Sequence, residues 1–138
     1  MKRSWIKRKP PKHKHKVSSK TRLRNKCDAL TGALCRSLGY CEICGNKETL
    51  QWCHFITRSI IKLRYLPKNY ACLCSGCHFK AHSNPEWIRT KWNEIKGAGT
   101  AKWLSRESNK LFPITTEFYQ KIIGGLKEKP LRKKGTKE

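Results

Sequence analysis

Apolar residues recur at Leu23, Cys27, Leu30, Leu34 and Leu38. Steps of four and three put them on one stripe of a helix over residues 21–38, with Gly39 as a natural stop. Cys27 and Cys35 lie in that helix without metal-ligand spacing and read as small core residues. The period then changes. Residues 50–55 and 70–73 read as two short strands, separated by a loop over 56–68 that is rich in bulky and basic side chains. A helix follows Cys74, with Ser75 as its candidate cap. Asn84-Pro85-Glu86 opens another: a capping side chain, a proline where no N–H is needed, and an acid in the first turn. Ile88, Trp92 and Ile95 share its face, and Gly97-Ala98-Gly99 breaks it. A helix from Thr100 presents Trp103, Leu104, Ser108 and Leu111 and ends at Pro113. Phe118, Ile122 and Leu126 mark a last helix. The tryptophans of this half are expected in the core. The predicted class is α+β.

Composition adds the partner. The chain has 138 residues and a formal net charge of +23, from 32 Lys and Arg against nine acids. Such a length holds one domain plus tails. Residues 1–26 carry twelve Lys or Arg and no acid. Residues 1–20 cannot form a core and are predicted to be a disordered basic arm that binds phosphates. His13 and His15 alternate with lysine there and read as tail residues. Residues 129–138 form a second basic tail, leaving 21–128 as the domain. A polyanion is the expected ligand, nucleic acid first. No apolar run approaches the roughly 20 residues that span a bilayer, and the N-terminus lacks the apolar stretch of a secretory signal. The expected setting is the reducing cytoplasm, with no membrane partner and with thiols free to bind metal. The sequence is compatible with a homodimer but does not require one.

Cys41-Glu-Ile-Cys44 and Cys74-Ser-Gly-Cys77 are matched Cys-x-x-Cys pairs. Together they give a closed four-thiolate site for structural zinc, a staple that a segment with few large aliphatics needs. Cys72 is too close to Cys74 for a knuckle and fits a strand position. Three histidines and an asparagine remain on the same short scaffold: His54 on the first strand, Asn69 before the second, and His78 and His82 one turn apart on the helix. Such a set suits a second metal with open positions and a histidine base. The nearby acids are Glu42 and Glu48 only, which argues against a carboxylate-built two-metal site.

The string Cys-x-x-Cys, Cys-His, Asn, Cys-x-x-Cys-His-x-x-x-His resembles the HNH nuclease family, the ββα-metal fold on a treble-clef-like zinc knuckle. The resemblance implies that His54 is the general base, that Asn69 steadies the loop carrying it, and that His78 and His82 bind a catalytic divalent ion, magnesium or manganese. It also implies products with 5′-phosphate and 3′-hydroxyl ends. One departure is Cys53, where the family usually has a metal-binding Asp or His. Thiolate is a poor magnesium ligand, so Cys53 is either a packing residue or a sign of a softer metal.

Asn25-Lys-Cys-Asp-Ala-Leu30, Leu50-Gln-Trp-Cys-His-Phe-Ile-Thr-Arg58 and residues 74–85 are similar, more narrowly, to the phage NinG/Rap recombination proteins. This likeness covers about residues 20–128 and implies action on branched DNA such as Holliday junctions and D-loops. The expectation is therefore a metal-dependent DNA endonuclease with a preceding helix and a C-terminal helical extension. Arg58, Arg64, Lys68 and Lys80 are its expected phosphate contacts. The alternatives are a non-catalytic zinc-stabilised nucleic-acid-binding protein, which has no use for the leftover histidines, or an HNH nuclease without branch preference.

Overall fold

The computed structural model describes residues 16–129. Most of the expected basic arm and tail lies outside that range, as do His13 and His15. Ser19 and Lys20, expected in the arm, belong to the first helix. Helix α1 runs Ser19–Arg36, and the Ser18 hydroxyl accepts the Thr21 N–H to start it. Leu38 falls after its end and packs beside Cys35. Strands β1 (Leu50–His54) and β2 (Tyr70–Cys74) pair antiparallel, with Trp52 opposite Cys72 and His54 opposite Tyr70. Helix α3 (Ser75–Ser83) leaves β2 directly, and α4 (Pro85–Lys96), α5 (Thr100–Ser108) and α6 (Thr116–Lys127) follow. The class is mixed: helices around one two-stranded sheet. Among the described residues no helix is long and apolar enough to cross a membrane.

The hairpin is covered on both faces, so every residue of β2 is buried. Alternation divides its side chains. Ala71, Leu73 and Cys53 join Ile88, Trp92 and Leu104 in one cluster. Tyr70 and Cys72 meet Cys35 of α1 on the other. Helix α6 packs along α1, where Tyr119 and Ile123 meet Cys27, whose thiol donates to the Tyr119 carbonyl. Cys27, Cys35 and Cys72 are thus core residues. So is Cys53, at 1 % exposure, with its thiol pushed up to about 12 by burial. Trp92 is fully buried and its indole N–H donates to the Lys68 carbonyl at 2.8 Å, while Trp87 and Trp103 are half-buried.

Three expectations need correction. The connection over 56–68 is not an open loop: it contains the one-turn helix α2 (Ile61–Arg64) and runs into a 3-10 turn at Pro67–Asn69. Ser75 does not cap α3; the Cys74 sulfur does, accepting the Cys77 N–H. Helix α5 stops at Ser108, and Leu111 is fully exposed instead of packed. The stop has a local cause. Ser108 Oγ–H and the Asn109 side-chain amide both donate to the Ser105 carbonyl, taking the acceptor that the next helical N–H would use.

Candidate metal and catalytic site

The Cys41 segment turns back at Gly45, whose φ of 77° suits glycine and whose N–H reaches the Cys41 carbonyl at 2.9 Å. Glu42 ties this turn to β2. Its carboxylate accepts the Cys72 N–H at 2.7 Å and the Lys96 ammonium at 3.2 Å, so this acid is used structurally. The second pair sits where β2 becomes α3. The result is that the sulfurs of Cys41, Cys44, Cys74 and Cys77 all lie within 4.8 Å of one another, with Cys44 and Cys74 3.6 Å apart. Sulfurs bound tetrahedrally at about 2.3 Å from zinc stand about 3.8 Å apart, so the donor set and its spacing fit that ion. Burial opposes ionisation of Cys41, yet the backbone N–H groups of Cys44, Cys74 and Ile43 hold its thiol down at about 7. Burial and the neighbouring thiols push Cys77 up. Among the described residues these four are the one group of three or more such side chains close enough to share an ion.

Beside the knuckle lies a cleft of about 320 Å³ between the end of β1 and α3. His54, Arg58, His78 and His82 all line it, with Trp52 and Thr57. Its described lining holds no carboxylate.

His54 is half-buried against the Trp52 ring, at a centroid distance of 4.4 Å. Its Nε2 lies 2.9 Å from the Arg64 carbonyl oxygen. A carbonyl only accepts, so Nε2 carries the proton and Nδ1 keeps its lone pair. Burial is the main cause that holds His54 down at about 4; the carbonyl hydrogen bond works against it, and the Arg64 and Arg58 charges add to it. The imidazole is therefore neutral at pH 7.

Asn69 is fully buried. Its Oδ1 accepts the Ile56 N–H at 2.7 Å, and its Nδ2 donates to the carbonyls of Ile56 and Leu63 at 3.1 Å each. It thus pins both ends of the segment that runs from β1 to α2, next to His54 and Arg64.

His78 and His82 meet through their Nε2 atoms, 3.1 Å apart. Two nitrogens at right angles about one ion, each about 2.1 Å from it, stand about 3.0 Å apart, so the pair fits a shared cation. With no cation between them the same spacing serves an N–H···N hydrogen bond. Gln51 decides which nitrogen of His78 is available: its Oε1 lies 2.6 Å from His78 Nδ1, which must then be the donor, leaving the Nε2 lone pair to face His82.

The expected phosphate contacts divide. Arg58 is exposed and lines the cleft. Lys68 and Lys80 are exposed outside it, each over an indole ring, Trp103 at 4.9 Å and Trp87 at 4.5 Å. Arg64 is a correction. Its guanidinium is buried in a two-pronged pair with Asp28, at 2.5 and 2.9 Å, and is not presented to a ligand. Sequence reasoning missed Gln51 and this Asp28–Arg64 pair. A signal for the latter was available: Asp28 is the only acid among the first 41 residues, and a lone acid in so basic a stretch sits where a cation can pair with it.

Comparison of the chain with models of known protein families, with curated proteins and with solved structures gave no significant match.

Proposed function

We propose that the chain is a metal-dependent DNA endonuclease of the HNH type, with the hairpin and α3 as its ββα-metal core. The observation that carries this reading is the shared cleft, lined both by a neutral histidine whose proton is held on Nε2 and by a histidine pair spaced for one cation.

The residues divide the work. Arg58 and the basic surface draw the phosphodiester in, at a rate and affinity that fall with salt. His54 Nδ1 takes the proton of a water as its oxygen attacks phosphorus. The imidazolium that forms keeps its Nε2–H on the Arg64 carbonyl, which favours the charged ring. A phosphate anion in the cleft also opposes the nearby arginine charges and raises the basicity of His54 toward neutrality, where a base works best. His78 and His82 would hold a divalent ion; when bound, it supplies positive charge to the phosphoryl oxygens and the leaving 3′ oxygen. Two imidazoles and no carboxylate suit a divalent transition ion better than magnesium, and of the two expected ions manganese is the transition ion. The four-thiolate site takes no part in the reaction and fixes the start of α3, hence His78 and His82.

The substrate class, branched recombination intermediates, rests on the NinG/Rap resemblance of residues 20–128. Single-turnover cleavage of a four-way junction, a linear duplex and a single strand, each with manganese or magnesium, tests both parts. The proposal expects cutting with manganese and the junction cut fastest. Equal rates on junction and duplex would leave a general HNH nuclease, and no cutting of any substrate would leave a zinc-stabilised DNA-binding protein.

A further inference from the structure

Helix α2 is one turn long, and its N-terminus has no side-chain cap. A helix of this length does not hold its own shape in water. Yet the carbonyl of its last residue, Arg64, is what holds the proton of His54 on Nε2. Asn69 holds the preceding carbonyl, that of Leu63, and the Arg64 carbonyl needs a hold of its own from outside α2.

The contacts of the Arg64 side chain identify it. Arg64 Nε and Nη2 donate to the two carboxylate oxygens of Asp28 on α1, and Nη1 donates to the Arg58 carbonyl at 3.1 Å. The next residue, Tyr65, donates its hydroxyl to Asp28 Oδ1 at 2.9 Å. Asp28 thus holds two consecutive side chains at the C-terminal end of α2, one on each side of the carbonyl in question. The Arg64 side chain is 9 % exposed and that of Asp28 26 %, so the fork is largely shielded from water. A two-pronged pair in that setting fixes direction as well as distance.

We infer that Asp28 is a positioning residue for the base: from α1, through Arg64 and Tyr65, it sets the place of the carbonyl that selects the His54 tautomer. This rests on His54 being the base. It gives α1, which is absent from the described cleft lining, an indirect part in the chemistry. Loss of the fork lets the Arg64 carbonyl move. The imidazole then samples the tautomer with its proton on Nδ1, which cannot accept a proton from water.

Asp28→Asn is the first test, since it keeps the size of the side chain and removes the charge and one acceptor. Tyr65→Phe is the second, since it keeps the buried ring and removes only the hydroxyl. Two readouts are followed: kcat and KM on DNA with manganese, and the 15N signals of the His54 ring. The inference expects kcat to fall roughly 10- to 100-fold in Asp28→Asn, as for loss of an orienting partner, with KM and zinc content unchanged. Tyr65→Phe should fall less, in the same direction. In both, the His54 signals should shift from the single Nε2–H form toward a mixture. A merely structural role would move stability and leave the tautomer alone. Wild-type kcat and an unchanged His54 spectrum in folded Asp28→Asn, or in Tyr65→Phe should the first not fold, would overturn the inference while leaving His54 as the base. Full cleavage by His54→Ala would overturn both.

Discussion

Gln51 Oε1 and His78 Nδ1 face each other at 2.6 Å across the gap between β1 and α3. A strand residue of no obvious chemistry thereby decides which nitrogen of a helix histidine is left for a ligand. Gln51→Leu removes the acceptor and frees the His78 ring. It should raise the manganese concentration needed for half-maximal cleavage about 10- to 100-fold, the usual loss for an orienting partner of a metal ligand. The rate at saturating manganese should return close to wild type. His78→Ala should need still more metal and recover less. A manganese titration of the single-turnover rate checks both, and an unchanged midpoint in Gln51→Leu would remove Gln51 from the site.

The four-thiolate site should carry one zinc per chain, and zinc binding should be part of folding. The cluster joins ligand pairs from the Cys41 turn and the start of α3. Cys41→Ser or Cys77→Ser should lose the zinc and the cooperative unfolding transition together, because metal and folding free energy are linked. Zinc content near zero in cooperatively folded wild-type protein would contradict this.

His54 gives stability a defined pH dependence. Folded, it takes a proton near pH 4; unfolded, near its ordinary 6.5. Between these values the unfolded chain binds more protons, so stability rises with pH. The contribution is full above about 6.5 and is lost as pH falls through the window to about 4, amounting to at most about 3 kcal/mol. Urea unfolding of wild type and His54→Gln at a series of pH values isolates it. The stability of wild type relative to the variant should decline from pH 6.5 to 4, and a flat difference would contradict the neutral, buried state of the ring.

Asn69→Ala should cost roughly 3 kcal/mol, since it strips partners from an Ile56 N–H and from two carbonyls around a fully buried site. It should also slow cleavage, because the same bonds hold the segment that leads to Arg64. Thermal unfolding and the single-turnover rate measure the two effects.

Much of the secondary structure was legible in the sequence: α1 from its stripe, α4 from Asn84 and Pro85, and the two short strands at close to their observed bounds. So were the chemistry-bearing residues at fixed short spacing, the two cysteine pairs and the His78/His82 turn. What escaped depends on distant polar contacts. Asp28 and Arg64 stand 36 residues apart, and Gln51 and His78 stand 27 apart. No periodicity ties such pairs together. Arg64 read as a phosphate contact because, in a chain of this charge, a paired arginine and a free one have the same letter and similar neighbours. Leu111 read as part of the helix from Thr100 because its spacing from Leu104 fits one, while the stop depends on Ser108 and Asn109 competing for one carbonyl.

If His54 is the base, its replacement must slow the chemical step itself. A general base acts in the transition state and adds little to ground-state binding. Single-turnover cleavage of a four-way junction by His54→Ala, with saturating manganese, should therefore be slower by about 100- to 10,000-fold. DNA affinity and zinc content should match wild type, and added metal should bring no rescue. Cleavage by His54→Ala at the wild-type rate would contradict the account.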